Sequence, residues 1–340
     1  MKKTIQLFLL LLGSITAIAN TAQPGIRSAG GTGGFTLLFP EDSAAYKKVQ
    51  MQKELVSIQL YPGFAVVKGE YWMYNSTKDL ISMKTGYPIN AQYSTRQNSS
   101  NLAEIIFDKM FKLSVSIDGH SVNPQPIDFE VDDPKIFSFA YNEPSKWYIW
   151  TTEFKPESAT KIEVYFIVNT NDSNIKLGYS SESFNGFIYV LETGASWKPP
   201  IGSGSIRVQL KDGLTVEDIK GVSPESIFTH FKSQDFLSYN FKDLIPTHED
   251  NIVITYSERL EDFDFENIIS KSETYFKTID AFSKLTTDKK TGASIAFDSP
   301  FEISTLGMDL FLLLMFALPV LGMSAIVFTI FKIMKRRSRG

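Results

Sequence analysis

Cysteine is absent from all 340 residues, and histidine occurs only three times. Without cysteine the chain has no disulfide, no thiolate nucleophile and no zinc site built on sulfur. The three histidines, His120, His230 and His248, show no H-x-x-x-H spacing, so the metal inventory is thin as well. Nucleotide-binding signatures are also missing. Gly30-Gly31-Thr32-Gly33-Gly34 fails G-x-G-x-x-G at Thr36, and no G-K-[ST] follows. For acyl transfer, Ser203 sits in Gly202-Ser203-Gly204, which lacks the G-x-S-x-G frame. The acidic stretch Asp128, Glu130, Asp132, Asp133 lacks the spacing and glycine of a calcium loop. No catalytic, cofactor or metal residue is therefore assigned.

What the chain does have begins at its ends. Lys2 and Lys3, the apolar run Ile5 to Leu12 and the small residues around Ala17-Ile18-Ala19 read as a secretory signal peptide over 1–19. Leu310 to Ile330 is a run of 21 residues without a charge, about 30 Å as helix, which predicts a transmembrane helix over 306–331 embedded in the lipid bilayer. The tail 332–340 carries Lys332, Lys335, Arg336, Arg337 and Arg339, the mark of a cytoplasmic flank. The expected localisation is thus the bacterial cytoplasmic (inner) membrane, single-pass, with the N-terminal ectodomain outside. A cysteine-free exported chain agrees with a bacterial envelope.

Setting aside the two signal-peptide lysines and the five tail cations from 34 basic residues leaves 27 against 38 acidic ones, about −11. That charge argues against nucleic acid as a partner. Hydrophobic residues at 43% and aromatics at 13%, with 27 Phe, argue for a packed core rather than a disordered stalk. Asn75, Asn98 and Asn171 open glycosylation-type triplets, which arise readily by chance in an Asn- and Ser-rich chain.

Between the ends the dominant period is two. After a flexible leader over 20–50, Val56, Ile58 and Leu60 alternate with Ser57 and Gln59. Beyond Pro62-Gly63, the set Ala65, Val67, Gly69, Tyr71, Met73 faces away from Lys68 and Glu70. This predicts a hairpin of half-buried strands. Further strands are expected at Leu80 to Thr85, Lys112 to Ile117, Lys146 to Phe154, Lys161 to Val168, Phe187 to Thr193, Ile206 to Leu210 and Ile252 to Tyr256. Asn101 with Glu104 fits a capping box ahead of Leu102, Ile105, Ile106 and Met110, which predicts a crossover helix. Ser223-Pro224-Glu225 reads as the start of a short helix. From Asp262 the period changes to 3.6: Ile268, Ser272, Tyr275, Phe276, Ile279 and Phe282 share one face of a predicted juxtamembrane helix of about 20 residues.

The expected fold is mainly β: a sandwich-like ectodomain, one or two β-modules (51–200 and 201–258), a juxtamembrane helix and linker over 259–305, and the membrane span. Tyr148 and Trp150 share a face of one predicted strand, and Trp197 follows a turn. Together they form the candidate interaction surface.

Two stretches carry a family resemblance. Met51 to Asn90 runs strand, strand ending in Tyr-Asn, polar turn and strand into Gly-Tyr-Pro; Tyr189 to Leu210 holds a Thr-Gly-Ala-x-Trp-Lys core. Together they resemble the bacterial exported family known as domain of unknown function 4424. The resemblance implies a β-rich envelope protein and hands over no activity or site. The expected function is a non-enzymatic, membrane-anchored module that binds a partner protein or envelope polymer. The alternative is an exported hydrolase acting on envelope glycan or peptide, which needs its histidines or a carboxylate pair to converge.

Overall fold

The computed structural model describes residues 25–27, 35–37, 42–89, 91–94, 103–107, 110–129, 145–177, 180–285, 292–300 and 315. In chain order the elements begin with β1 (Gly25–Arg27), β2 (Phe35–Leu37), α1 (Ser43–Tyr46), β3 (Val49–Tyr61), β4 (Phe64–Asn75), β5 (Ile81–Pro88), β6 (Ala91–Ser94) and β7 (Ala103–Phe107). They continue with β8 (Met110–Ile117), β9 (His120–Val122), β10 (Gln125–Phe129), β11 (Ser145–Phe154), β12 (Ser158–Asn169), β13 (Asn174–Leu177) and β14 (Ser180–Glu182). Then come β15 (Phe184–Tyr189), β16 (Ile201–Leu210), β17 (Ile219–Ser223), β18 (Thr229–Phe231), β19 (Phe236–Leu244) and β20 (Ile252–Glu258). Helices α2 (Phe265–Ser270) and α3 (Ser272–Ser283) precede the last described strand, β21 (Gly292–Ser294).

One nine-stranded sheet dominates, in the order β21-β18-β19-β16-β3-β4-β12-β8-β9. Its pairs are antiparallel except β16 with β3. The stretches 51–200 and 201–258 therefore share a sheet, and the described residues up to Pro300 belong to one compact unit. Three smaller sheets, β10-β11-β5, β14-β13-β7-β6 and β15-β20-β17, complete it with the β1-β2 pair.

The alternation read from β3 and β4 holds and decides the two cores. Val56, Ile58, Leu60, Ala65, Val67, Tyr71 and Met73 join the main core with residues of the smaller sheets, including Met83, Phe154, Phe187 and Ile254. The opposite face is not left to water. Phe64, Val66, Ile167, Phe231 and Phe236 lie under Ile279 and Phe282 of α3, forming a second core. The β3–β4 turn has Gly63 at φ +87°, and a Cβ there would collide with Phe263 at 2.7 Å, so glycine is required on both counts.

Several expectations need correction. The region assigned to a crossover helix is strand instead: Ala103–Phe107 forms β7, pairing with β6 and β13, and Met110 opens β8, while Asn101 and Leu102 lie outside the described residues. Tertiary pairing of the Ile-Ile-Phe run overrides the local capping signal. Strand β5 continues through Gly86-Tyr87-Pro88 rather than stopping there, because it is held against β11 as far as Trp147 opposite Pro88. Ser223-Pro224-Glu225 ends β17 and starts no helix.

The helix expected from Asp262 is broken at Lys271 into α2 and α3, with serine on either side of the break. It packs on the large sheet, against β3 and β4. The transmembrane helix is corrected too. Among the described residues no helix is long and apolar enough to cross a membrane; the longest, α3, has 12 residues and is amphipathic. Apart from Met315, the apolar run Leu310 to Ile330 lies outside the described residues, as do the signal peptide and the basic tail. Asn75 is buried and donates to the carbonyls of Asp79 and Phe154, so its triplet is a structural turn.

Candidate functional site

The aromatic residues singled out from sequence divide by burial. Trp150 (5% exposed) and Trp197 (0% exposed) are core residues. The Trp197 ring meets Tyr46 at 4.5 Å and Phe154 at 5.9 Å between centroids. Only Tyr148 is half-buried, so the expected surface of Tyr148, Trp150 and Trp197 is mainly packing. The β-strand period placed Tyr148 and Trp150 together, but both faces of β11 meet other parts of the fold.

The histidines do not converge. His120 is exposed on β9 and His230 is 8% exposed on β18, near opposite edges of the large sheet. Seven inter-strand steps separate those strands in the sheet order, roughly 30 Å at the usual spacing. The side chain of His248 lies outside the described ones. Among the described residues no group of three or more His, Asp or Glu is placed to hold a metal ion.

Two polar constellations stand out instead. The first is inside the main core. Glu54, wholly buried, faces Tyr71 across the β3–β4 ladder and accepts a hydrogen bond from the Tyr189 hydroxyl at 2.6 Å. Tyr71 and Tyr189 hydroxyls lie 3.1 Å apart. Gly69 makes the room: a Cβ there would stand 2.3 Å from the Tyr71 hydroxyl oxygen. Burial first, then the Glu54 charge, pushes both phenols well above their ordinary range, so they act as donors and not as acids. This cluster is sealed from solvent and reads as a polar part of the core.

The second lies on the other face, under and beside α3. Lys68 is 2% exposed, and its ammonium donates to Asp280 at 2.7 Å and Ser283 at 3.1 Å. Glu70 and Glu163 stand 3.6 and 3.8 Å away, and Lys161 bridges the same two carboxylates at 2.7 and 3.0 Å. A buried lysine is tolerated only when its charge is met in this way. Hydrogen bonds from Lys284, then from Lys68, hold the Asp280 carboxyl well below the usual carboxylate range. A depressed folded value means the contribution is present above about pH 4 and disappears as pH falls toward that value. Denaturant midpoints of the wild type and Asp280→Asn, measured from pH 6 to pH 2, should therefore converge as acid is added; a constant gap would show that the carboxylate charge is not what holds α3.

Further along the same face Lys53 and Lys242 are exposed. Lys242, Ser203, Lys53, Trp72 and Lys161 come into register across five adjacent strands. Trp72 is half-buried, with the Lys53 ammonium 4.6 Å and the Lys161 ammonium 5.1 Å from its ring centroid. Lys53 is exposed and makes no ion pair among the described residues. The alternation in β4 that sends Tyr71 and Met73 inward also sends Trp72 outward, on the face it shares with Phe64 and Tyr74.

No family model matches this sequence, and neither does any curated protein. Among solved structures, a protein of Legionella pneumophila named for nutrient binding is similar at 13% identity, with a TM-score of 0.41, over 71% of this chain and 72% of that one. An M1 zinc metallopeptidase of Deinococcus radiodurans matches at 9% identity and a TM-score of 0.30, over 62% of this chain. The native yeast LTA4 hydrolase matches at 8% and 0.32. The chain spans 42% and 29% of those two proteins. Likeness at this level carries no functional argument.

Proposed function

We propose that this chain is a non-enzymatic β-domain that works outside the cytoplasm and binds a partner protein or envelope polymer through the Trp72 face of its large sheet. The observation that carries the reading is the Trp72 strip. A tryptophan held between two lysine ammoniums, one of them on the exposed Lys53, is the kind of aromatic anchor on which binding energy concentrates. The signal-peptide pattern and the two stretches resembling an exported family support export. The hydrolase alternative loses its simplest constellation, because His120 and His230 sit near opposite edges of one sheet.

The test is crosslinking of the full-length chain in its native cells, with partners identified by mass spectrometry, for wild type and for Trp72→Ala with Lys53→Glu. A stoichiometric partner whose recovery drops at least tenfold in the double variant is the expected result. Recovery of bulk envelope proteins alone, or of the same partner from both chains, would remove the strip as the binding face.

A further inference from the structure

The large sheet and the β15-β20-β17 sheet are stitched together along one side by a segment that arrives from far along the chain. Residues 292–300 begin as β21, with Ser294 opposite Thr229 on β18. They then leave the large sheet. Ile295 donates to the Phe228 carbonyl at 3.2 Å, Phe297 donates to Glu225 at 3.1 Å, and the Asp298 carbonyl accepts from Val222 of β17 at 2.9 Å. Ile295 and Phe297 reach the main core as plugs. At the far end Pro300 rests on Gly221, where a Cβ would stand 2.6 Å from the proline backbone.

This strap is lightly held for its length. Of its nine residues only Pro300 is buried; Ile295, Phe297 and Ser299 are half-buried and the other five are exposed. What lies beneath it is a pair of strand edges, which bind any strand of suitable sequence by main-chain hydrogen bonds. The seat is nonetheless selective. It has a notch at Gly221 that fits Pro300 and two apolar sockets two residues apart, and β21 approaches Thr229 and Phe231 so closely that only Gly292 fits there, a Cβ standing 2.6 Å from Thr229.

We propose that the β17–β18 edge is a strand-acceptor site that takes residues 292–300 of a second copy of this chain in exchange for its own. The occupant follows from the seat. Its notch and sockets match the chain's own 292–300, and exchange of an identical element swaps every hydrogen bond for its equal, which makes it the least costly route to a dimer.

The absence of cysteine supplies a direct test in the full-length chain. Thr229 and Ser294 are directly opposed, at the Cα spacing that antiparallel pairing and disulfides share. Thr229→Cys and Ser294→Cys placed in one chain should close an internal disulfide under mild oxidation, which verifies the seat. Each placed singly in separate chains and mixed at high concentration should give a disulfide-linked heterodimer, its yield falling at least fivefold when the Thr229→Cys chain also carries Gly221→Ala. Phe297→Ser in the Ser294→Cys chain should produce the same fall from the donor side, which covers the case where Gly221→Ala unfolds. An internal bond in the double-cysteine chain without any heterodimer from the mixture would overturn the exchange. So would a heterodimer indifferent to both changes, since that would be random collision, or failure of the internal bond to close.

Discussion

Lys68→Ala is expected to destabilise the fold by about 3–5 kcal/mol, the usual loss when one partner of a buried charge network is removed. The lysine is almost fully buried between the sheet and α3, with Asp280 and Ser283 of the helix as its nearest partners. Its loss leaves Asp280 with Lys284, while Glu70 and Glu163 still share Lys161. The damage should therefore fall on helix docking more than on the sheet. Urea unfolding followed by near-ultraviolet dichroism measures the total. A double-mutant cycle of Lys68→Met with Asp280→Asn isolates the latch, and a coupling of about 1–3 kcal/mol is expected for residues in direct contact. Coupling near zero would mean that Glu70 and Glu163 satisfy the ammonium and that the rings Tyr61, Phe64 and Tyr275, packed 4.5 to 5.4 Å apart, hold the helix alone.

Trp197→Ala should cost a comparable about 3–5 kcal/mol, the range for deleting a large buried aromatic. Trp197 follows the short 3-10 turn Glu192–Ser196, and its ring packs against both Tyr46 of α1 and Phe154 at the end of β11. Removing it opens a cavity where three separate stretches of chain meet. Trp197→Phe should recover part of the loss by refilling some of the volume, whereas a surface role would give both variants a stability near that of wild type. Urea unfolding of the two variants therefore decides between packing and contact for a residue that sequence alone placed on an interaction surface.

These two residues mark where sequence reading succeeds and where it stops. The period-2 alternation of β3 and β4 was legible because it is a property of the strand itself: neighbouring side chains point to opposite faces whatever the strand pairs with. Lys68 and Glu70 were correctly set against Ala65, Val67 and Tyr71 on that basis. The hairpin turn Asp118-Gly119, with φ values of +49° and +81°, carries a sequence signal of the same local kind. The failures are failures of partner. A face bearing Lys68 and Glu70 reads as solvated, yet Asp280, which lies 212 residues away, covers it. The run Ala103–Phe107 has helix-like and strand-like spacing at once, and its pairing with β6 and β13 decided for strand.

The sequence by itself therefore determined the mainly β character, the inward and outward faces of the long strands, the acidic charge and the lack of any thiol. Only the tertiary structure decided that one parallel pairing, β16 beside β3, joins two halves of the chain into one sheet. It also decided that α2 and α3 pack on part of that sheet's second face while Trp72 stays half-buried on it, and that Trp150 and Trp197 are core. The physical reason is that side-chain alternation is set by bonds within a few residues, whereas burial is set by whichever distant segment arrives to exclude water, and that choice is made by the energy of the whole packed unit.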